Sequence, residues 1–507
     1  MTMNQQRKFS ENYILLPVSK TRVNPNDSIK VAEFFTQLQS SSKATATINL
    51  NVRKRTTQNS DEIAVTVLDS IDTEGAKLIS INSDELANFR FSYPGVRIIP
   101  EKFYSPAIAT REIIKIHLSE AQALTTATVR IINTENQGIP GVTTVFFSDF
   151  AASRGASGVT DENGTVTLKL SGSQAERIYI YPEHSYWGHF NTNVALSSEM
   201  NFTLQRVVPG YTDALRYFYP TSDWPPISRK VKVGIIDTGT GPHKDLVIMG
   251  GKNLVRGEDE SNYSDDEGHG THVAGIIAAT GSPKGVAVGA DLMSYRVFGE
   301  NQGASNFDII KAIDQAIKDE CDLINLSLGE AQDDEAISSY IKDAYNAGIL
   351  CFAASGNDNR GPVSFPAAYS LAIAVSAMGR KDTFPDGSIQ TGTVQEPYGT
   401  DKANFIADFS NQGTETDLTA PGVGIISTYP GDQYAVMDGT SMSCPAAAGM
   451  AARILAGSPQ ILDLPRNQTR ADEMVKFLAI YTKLLGFGAN FEGKGMLYTN
   501  DELHSEI

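Results

Sequence analysis

Four short segments carry side chains that together could perform acyl transfer, and they read VGIIDTG (233–239), GHGTHVAG (268–275), AASGN (353–357) and GTSMSCPAAAG (439–449). A serine hydroxyl is a poor nucleophile at neutral pH and requires a positioned base, and that base requires a carboxylate to fix its tautomer. The segments supply these groups in the order Asp237, His269 and Ser441, and Asn357 adds an amide donor. The pattern therefore indicates a serine nucleophile with the groups that activate it.

Each segment has a structural explanation when it is taken alone. An Asp-Thr-Gly sequence is common where a strand ends, a serine after glycine often caps a helix, and a histidine is more often packed than catalytic. The combination is harder to explain in this way, because the side chains occur in an order known for serine hydrolases. We therefore interpret Asp237, His269, Ser441 and Asn357 as one catalytic site.

The elements expected around these residues would bring them to one edge of a sheet. A buried apolar strand would deliver Asp237 at its carboxyl end, and a second strand would place Asn357 in the turn beyond it. His269 opens a small, apolar helical segment, and Ser441 opens an alanine-rich one. A helix N-terminus favours negative charge, which suits a serine whose attack on a carbonyl generates an oxyanion.

These motifs resemble those of the subtilisin-like serine proteases, the subtilases of peptidase family S8. The likeness covers about residues 210–500, and it includes the sequences TAPG (419–422) and GKGML (493–497). The family places its base first in the H-G-T-H sequence, so the resemblance assigns that role to His269 and leaves His272 as a packed residue. It implies an α/β fold with a doubly wound, mostly parallel sheet of the subtilisin type, which the alternation of strands and helices also favours.

The same resemblance suggests where a substrate would bind. The residues Ser327, Leu328 and Gly329 match an edge of the family's cleft, to which a substrate backbone adds as a strand. Ser364 aligns with the base of the primary specificity pocket, where no charged residue occurs. A neutral pocket predicts an apolar or aromatic residue before the scissile bond (position P1). Asp358 at the rim would instead allow a long basic side chain.

The first 208 residues predict two domains ahead of a subtilisin-like domain over 209–507. Residues 1–109 predict a small α+β domain with a helix over 29–39, and its run AKLISINSDELANFRFSYPGVRIIPEKFY resembles the propeptides that precede many subtilases. An ordinary accessory domain is the alternative. Residues 110–208 contain short strand-like runs separated by turn signals, which predict an all-β sandwich.

Composition limits the partners. The net charge of −17 argues against nucleic acid, because phosphate binding requires clustered basic residues. No apolar run approaches the roughly 20 residues that span a bilayer, and MTMNQQRKFSENYILLPVSK at the N-terminus lacks the core of a signal peptide. Three cysteines argue against a disulfide framework. These features predict a cytoplasmic location, with export without a leader left open.

No cofactor is predicted. Many subtilases bind calcium through a loop inserted in the helix that follows the catalytic histidine, but the corresponding TGSPKG (280–285) is short and contains a lysine. A second candidate is the acidic loop, which we define as Glu258, Asp259, Glu260, Asp265, Asp266 and Glu267. This loop could bind calcium or basic substrate residues, and a solvated surface is the simpler interpretation.

The sequence thus predicts a serine endopeptidase that acts on proteins or peptides. In the expected mechanism His269 takes the proton of Ser441 and Asp237 stabilises the resulting imidazolium. Asn357 and the main-chain N–H of Ser441 would hold the oxyanion. The alternative is a catalytically silent binding scaffold built on a protease fold.

The propeptide-like segment predicts that the full-length chain is a zymogen or is otherwise restrained. Its C-terminal end would lie in the substrate cleft beside residues 327–329, and cleavage would fall after Tyr104, between Phe103 and Arg111. The alternative is an accessory domain that stays attached, with activity switched by a regulatory partner or by another protease.

Overall fold

The structure, a computed structural model, describes residues 10–17, 34–36, 38, 45–53, 60–73, 75–117, 124–300 and 302–499. These residues form three parts in chain order: a small α+β domain, a sandwich of two sheets, and a large α/β domain. Among them, no helix is both long and apolar enough to cross a membrane.

The N-terminal part is an antiparallel sheet with a short helix. Its elements are β1 (Ser10–Pro17), β2 (Ala46–Arg53), β3 (Ser60–Ser70), β4 (Lys77–Asn82), a 3-10 turn (Ser83–Glu85), α1 (Leu86–Ser92) and β5 (Val96–Pro100). The strand order is β2-β3-β4-β1-β5. Of the predicted helix over 29–39, only residues 34–36 and 38 are described, and the rest lies outside the described residues. The chain leaves this domain through β6 (Phe103–Pro106).

The second part packs two sheets face to face. Its strands are β7 (Ile116–His117), β8 (Leu124–Ile132), β9 (Thr143–Asp149), β10 (Arg154–Val159), β11 (Thr165–Ser171), β12 (Gln174–Tyr181), β13 (His189–Ala195) and β14 (Glu199–Thr203). The sheet orders are β13-β12-β9-β10-β7 and β11-β8-β14. Val129, Phe146, Leu168 and Ile178 meet in the core between them. The sequence of this stretch predicts an all-β domain because its strands are short and are joined by tight turns.

The third part alternates strands and helices. Its strands are β15 (Lys232–Asp237), β16 (Ile248–Asn253), β17 (Asp291–Arg296), β18 (Ala304–Ser305), β19 (Leu323–Leu326), β20 (Leu328–Gly329), β21 (Leu350–Ala354), β22 (Ala372–Arg380), β23 (Val394–Tyr398), β24 (Asn404–Ala407), β25 (Leu418–Pro421), β26 (Ile425–Tyr429), β27 (Gln433–Met437), β28 (Thr482–Lys483) and β29 (Met496–Leu497). Its helices are α2 (Ala214–Phe218), α3 (His269–Ala278), α4 (Asn306–Lys318), α5 (Glu335–Asn346), α6 (Thr440–Ala456), α7 (Pro459–Leu462), α8 (Gln468–Leu478) and α9 (Ala489–Glu492), with 3-10 turns at Ile389–Thr393 and Ala479–Tyr481.

The main sheet of this domain runs β16-β17-β15-β19-β21-β22-β24-β23, and β25 also pairs with β22. Its pairs are parallel from β16 to β22, and β23 and β24 are antiparallel additions at one edge. Val233 of β15 faces a core shared with α3 and α6, whereas Ile236 faces a core shared with α4 and α5. Helices therefore cover both faces, and the carboxyl ends of the parallel strands meet at one edge.

The N-terminal sheet lies against α4 and α5. The apolar residues at this contact are Ile14, Leu16, Leu78 and Ile99 of the sheet with Ile310, Ile337 and Ile341 of the helices. Ion pairs flank them, with 2.7 Å between Lys311 and Asp69 and 3.0 Å between Arg97 and Glu335. This contact holds β6, which follows the sheet, close to the carboxyl edge of the main sheet.

Candidate active site

Asp237 is the last residue of β15 and is fully buried. Its Oδ1 accepts the N–H of Thr238 at 2.7 Å and lies 2.6 Å from Nδ1 of His269. The strand thus delivers a carboxylate to the edge of the sheet, as its apolar sequence predicts. The hydrogen bond orients the imidazole with Nδ1 toward the carboxylate and Nε2 away from it.

His269 is the first residue of α3, and its helix approaches the loop after Asp237 closely. A Cβ atom on Gly270 would lie 2.0 Å from the carbonyl oxygen of Gly239, which is shorter than any real contact. Glycine at position 270 is therefore required for the two segments to come together. This close approach is what sets the short distance between Asp237 and His269.

The pKa of His269 results from two opposing effects. Burial lowers it, because the imidazolium loses its hydration, whereas the charge and hydrogen bond of Asp237 raise it, with smaller contributions from Asp265 and Glu267. The net result is a pKa above the ordinary value for histidine. Nε2, the nitrogen that would accept a proton, has no hydrogen-bond partner among the described residues.

Asp265 positions this pair, although the sequence does not single it out from the acidic loop. Its carboxylate accepts hydrogen bonds from the Thr238 hydroxyl at 2.9 Å, the N–H groups of Glu267 and Gly268, and both the N–H and hydroxyl of Thr271. The interpretation of the whole loop as solvated surface is therefore wrong for Asp265, which is buried. It joins the residue after Asp237 to the first turn of α3.

Ser441 lies in the first turn of α6 and is fully buried. Its Oγ donates a hydrogen bond to the carbonyl oxygen of Ser327 at 2.9 Å, so the side chain must rotate about χ1 before it can donate to Nε2 of His269. Its main-chain N–H donates to the carbonyl oxygen of Ala107 at 3.1 Å. An N–H at a helix N-terminus is a suitable donor for a developing oxyanion.

Asn357 follows β21 and contacts the same helix N-terminus. Its Oδ1 accepts the N–H of Thr440 at 2.9 Å, which fixes the rotation of the side-chain amide beside Ser441. Gly439 precedes this turn with a φ of +150°, and a Cβ there would lie 2.7 Å from the carbonyl oxygen of Ala107. A side chain at position 439 would therefore exclude the carbonyl that now lies there.

The segment after the N-terminal sheet lies in the cleft as an added strand. Tyr104 of β6 pairs with Ala304 of β18, and Ser105 pairs with Gly329 of β20, both antiparallel. The sequence points to residues 328 and 329 as one edge of the cleft but gives no sign of the opposite edge at 304 and 305. Tyr104 is completely buried between the two edges.

The peptide bond between Ala107 and Ile108 is the one presented to Ser441. Ala107 donates its N–H to the carbonyl oxygen of Ser327 at 3.0 Å, while its own carbonyl accepts from Ser441. Beyond the bond, Ala109 donates its N–H to the carbonyl oxygen of Asp438 at 2.9 Å. The chain thus crosses the site in an extended form, held on both sides of one peptide bond.

A polar network surrounds Ser364, the residue that the family resemblance assigns to the base of the primary specificity pocket. Ser364 lies opposite the β20 edge, since a Cβ on Gly329 would be 3.5 Å from the Cβ of Ser364. Asn411 donates from Nδ2 to Oδ2 of Asp358 at 2.8 Å and to Oγ of Ser364 at 3.1 Å. Asn411 is not identified from the sequence. Oδ2 of Asp358 is therefore held by Asn411, while the side chain of Asp358 is exposed to solvent.

Two residues near the site are structural. His272 is buried with Nε2 at 3.0 Å from the carbonyl oxygen of Ile425, and burial lowers its pKa to about 3. It lies inside the protein, as the sequence predicts. The thiol of Cys444 is also buried, and burial raises its pKa. A rival thiolate nucleophile is thus disfavoured, because a thiolate requires a lowered pKa.

The acidic loop makes ordinary protein contacts. Asp266 lies 2.7 Å from Nη1 of Arg296, and Glu258 accepts from Nδ2 of Asn253 at 2.9 Å. Across the described residues, no group of three or more His, Cys, Asp or Glu side chains could hold a metal ion. The absence of calcium at 280–285 stays a prediction.

The family is decided by comparison with known sequences. The profile described as "Subtilase family" matches residues 228–488, which is more than half of the chain. The chain belongs to the subtilase family. The predicted resemblance to the subtilisin-like serine proteases is thereby confirmed. The predicted α/β fold of the subtilisin type is confirmed for the C-terminal domain.

Several subtilases are similar to this chain over part of their length. Minor extracellular protease Epr of Bacillus subtilis is 37% identical over 235 residues, covering 46% of this chain and 33% of that protein. Subtilisin Savinase of Lederbergia lenta is 38% identical over 232 residues, 45% of this chain and 77% of that protein. Thermostable alkaline protease of Halalkalibacterium halodurans is 34% identical over 277 residues, 54% of this chain and 66% of that protein. The chain therefore spans between a third and about three quarters of these relatives.

The prediction of a cytoplasmic location is wrong. The subtilase relatives point away from the cytoplasm, since one of them is named an extracellular protease. The prediction rests on the lack of a long apolar run, on N-terminal residues without a signal-peptide core and on the small number of cysteines, and these features do not determine where this subtilase acts.

Proposed function

We propose that this subtilase is a serine endopeptidase whose own N-terminal segment occupies its cleft. The observation that carries the proposal is the contact between the N–H of Ser441 and the carbonyl oxygen of Ala107 at 3.1 Å. It lies beside the buried hydrogen bond of 2.6 Å between Asp237 and His269. A carbonyl held by an oxyanion donor next to an oriented base is the arrangement that acyl transfer requires.

The proposed reaction begins when Oγ of Ser441 rotates from the Ser327 carbonyl toward Nε2 of His269. His269 takes the hydroxyl proton, Oγ bonds to the substrate carbonyl carbon, and Asp237 stabilises the imidazolium. The N–H of Ser441 and the side-chain amide of Asn357 hold the oxyanion. His269 then gives its proton to the leaving nitrogen, the peptide C–N bond breaks, and water hydrolyses the acyl-enzyme.

The proposed substrates are extended polypeptides that enter the cleft between β18 and β20. Main-chain pairing on both sides supplies affinity without reading side chains. The internal segment indicates which substrate residues the cleft accepts. It carries the small residue Ala107 before the scissile bond and the buried Tyr104 three residues earlier. A small apolar P1 residue fits the pocket narrowed by Ser364.

The proposed restraint follows from the same contacts. While β6 is paired on both sides, another polypeptide cannot take its place. Cleavage between Ala107 and Ile108 would allow the N-terminal domain to leave, and release by a regulatory partner or another protease is the alternative route.

Labelling with a fluorophosphonate probe tests the activity against the alternative of a silent scaffold. We expect labelling of the wild-type protein, in full-length or N-terminally trimmed form, and its loss in Ser441→Ala. A protein that stays unlabelled in both forms is a scaffold, and the proposed function would then be wrong.

A further inference from the structure

Residues 108–112 bridge the active site and the β-sandwich. On the active-site side, the N–H of Ala109 donates to the carbonyl oxygen of Asp438 at 2.9 Å. On the sandwich side, the N–H of Glu112 donates to Oη of Tyr181 at 3.1 Å, and the guanidinium of Arg111 lies 5.4 Å from the centre of the Tyr181 ring. The segment thus enters the primed half of the cleft, which takes the residues after a scissile bond, and ends on the sandwich.

The sandwich holds the end of this segment by burial and by main-chain pairing. Ile114 is buried in an apolar cluster with Phe147 and Tyr181. The N–H groups of Lys115 and Ile116 both donate to the carbonyl oxygen of Ser153, at 3.0 and 3.1 Å. Residues 116 and 117 then pair with β10 as β7. None of these contacts involves a residue before position 108.

The sandwich is in turn fixed to the α/β domain beside the site. The contacts are Tyr429 Oη to Glu183 Oε1 at 2.8 Å, Ser185 N–H to the Tyr434 carbonyl at 2.8 Å, and Phe190 N–H to the Gly387 carbonyl at 2.8 Å. Trp187 of the sandwich is buried in a cluster that contains Val423 and Ile426 of the α/β domain. The anchor of the segment at Tyr181 therefore belongs to a domain that contacts the α/β domain beside the active site.

A cavity of about 530 Å³ lies along the segment between this wall and the active site. It is lined by Tyr179, Tyr181 and Phe190 of the sandwich and by Asn357 and Asp438 of the α/β domain. Ile108 also lines this cavity, and its side chain is exposed. Cleavage before Ile108 would give this residue a free amino group. The cavity has space for that group, so residues 108–111 can stay in the primed half of the cleft.

We propose that the β-sandwich retains residues 108–111 in the primed half of the cleft after cleavage between Ala107 and Ile108, so that the cleaved enzyme is still restrained by its own new N-terminus. This inference rests on the proposed function. Cleavage breaks only the bond before Ile108, and every contact that anchors residues 112–117 survives it. The new α-amino group cannot move farther from Glu112 than an extended chain reaches, about 14 Å.

A tethered occupant of this kind competes with substrates that need the same space. Short tethers give effective concentrations in the millimolar range, which favours renewed pairing of Ala109 with Asp438 each time the segment detaches. A substrate with several residues after its scissile bond must displace the segment, whereas a peptide anilide places only its aromatic amine after that bond and competes far less for the primed half. Retention of the segment thus predicts a lower kcat/KM for substrates that extend beyond the scissile bond than for peptide anilides.

The test uses cleaved protein whose N-terminus is sequenced as Ile108. The measurement is the ratio of kcat/KM for two peptides with identical unprimed residues, one with five residues after the scissile bond and one ending in p-nitroanilide. Inserting six Gly and Ser residues between Thr110 and Arg111 leaves the cleavage site unchanged and dilutes the tethered end. We expect this insertion to raise the ratio about fourfold.

A second pair of variants changes the contact itself. Ala109→Pro removes the N–H that donates to Asp438 and should raise the ratio about two- to tenfold, whereas Ala109→Ser keeps the N–H and should leave it at the wild-type value. Equal ratios in wild type, insertion and Ala109→Pro would overturn the retention of the segment, as would an active enzyme with a different N-terminus. Failure of every form to hydrolyse either peptide or to react with a fluorophosphonate would instead remove the proposed function.

Discussion

The main-chain N–H of Ser441 donates a hydrogen bond of 3.1 Å to the carbonyl oxygen of Ala107, a residue more than three hundred positions earlier in the chain. This contact places the peptide bond after Ala107 at the nucleophile of the subtilase domain. It connects the N-terminal domain, the active site and the sandwich, because the chain reaches Ala107 from β6 and leaves it toward β7.

Replacing Asn357 by alanine should lower kcat about 10²–10³-fold with little change in KM, because the amide acts mainly on the oxyanion of the transition state. Asn357→Asp is a matched variant that keeps an oxygen for the N–H of Thr440 but lacks the donor, and we expect it to remain as slow. Steady-state kinetics on a peptide anilide provide the measurement. A change confined to KM would show that Asn357 contributes to substrate binding instead.

The pH dependence of kcat/KM should have an acidic limb above pH 6.5, because Asp237 holds the pKa of His269 above its ordinary value of about 6.5. Only the neutral imidazole can take the serine proton, so activity is present above this pKa and is lost as pH falls through it. Asp237→Asn should move the limb to lower pH and reduce kcat about 10⁴-fold while the fold is retained. A wild-type limb at or below pH 6.5 would contradict this assignment.

Replacing Asp265 by alanine should destabilise the domain by about 3 kcal/mol or more, because hydrogen bonds to a buried charge contribute about 1.5–3 kcal/mol each. Activity should fall as well, since the first turn of α3 carries His269. Asp259→Ala in the same acidic loop is the control, and its exposed side chain should contribute less than about 0.5 kcal/mol. Urea unfolding of both variants measures the difference, and equal midpoints would show that Asp265 does not position the helix.

Replacing Ser364 by glycine should shift P1 preference from small to larger apolar residues, because it removes the side chain that narrows the pocket opposite Gly329. We expect the ratio of kcat/KM for phenylalanine at P1 to that for alanine at P1 to rise about tenfold. A change of this size is typical when a pocket gains or loses the space of one methylene group. Paired peptides that differ only at P1 provide the measurement. A strict requirement for Arg or Lys in the wild type would instead make Asp358 the main determinant.

The triad candidates are predictable from sequence because local signals determine their placement. An apolar strand ends at Asp237, glycines flank His269, and a small-residue helix begins at Ser441. Asp265 is not predictable in this way, because in sequence it is one of several carboxylates in a polar loop. Its hydrogen bond to Thr238 joins residues 27 positions apart in the chain.

The arrangement of the domains shows the same limit. Strand-like runs predict a sandwich over 110–208, and the run before Phe103 resembles a propeptide, but neither says where the sandwich lies. Its position beside the primed half of the cleft depends on long-range contacts such as Tyr429 with Glu183. Ala107 falls inside the interval predicted for cleavage, and only the contact with Ser441 selects one bond within it.

We expect Ser441 to cleave the bond between Ala107 and Ile108 of its own chain. Intact mass and N-terminal sequencing of wild type beside Ser441→Ala test it most directly. We expect a wild-type fragment that begins at Ile108 and a Ser441→Ala chain that stays whole under the same conditions. Cleavage at Ile108 in both proteins, or an intact and fully active wild type, would contradict it.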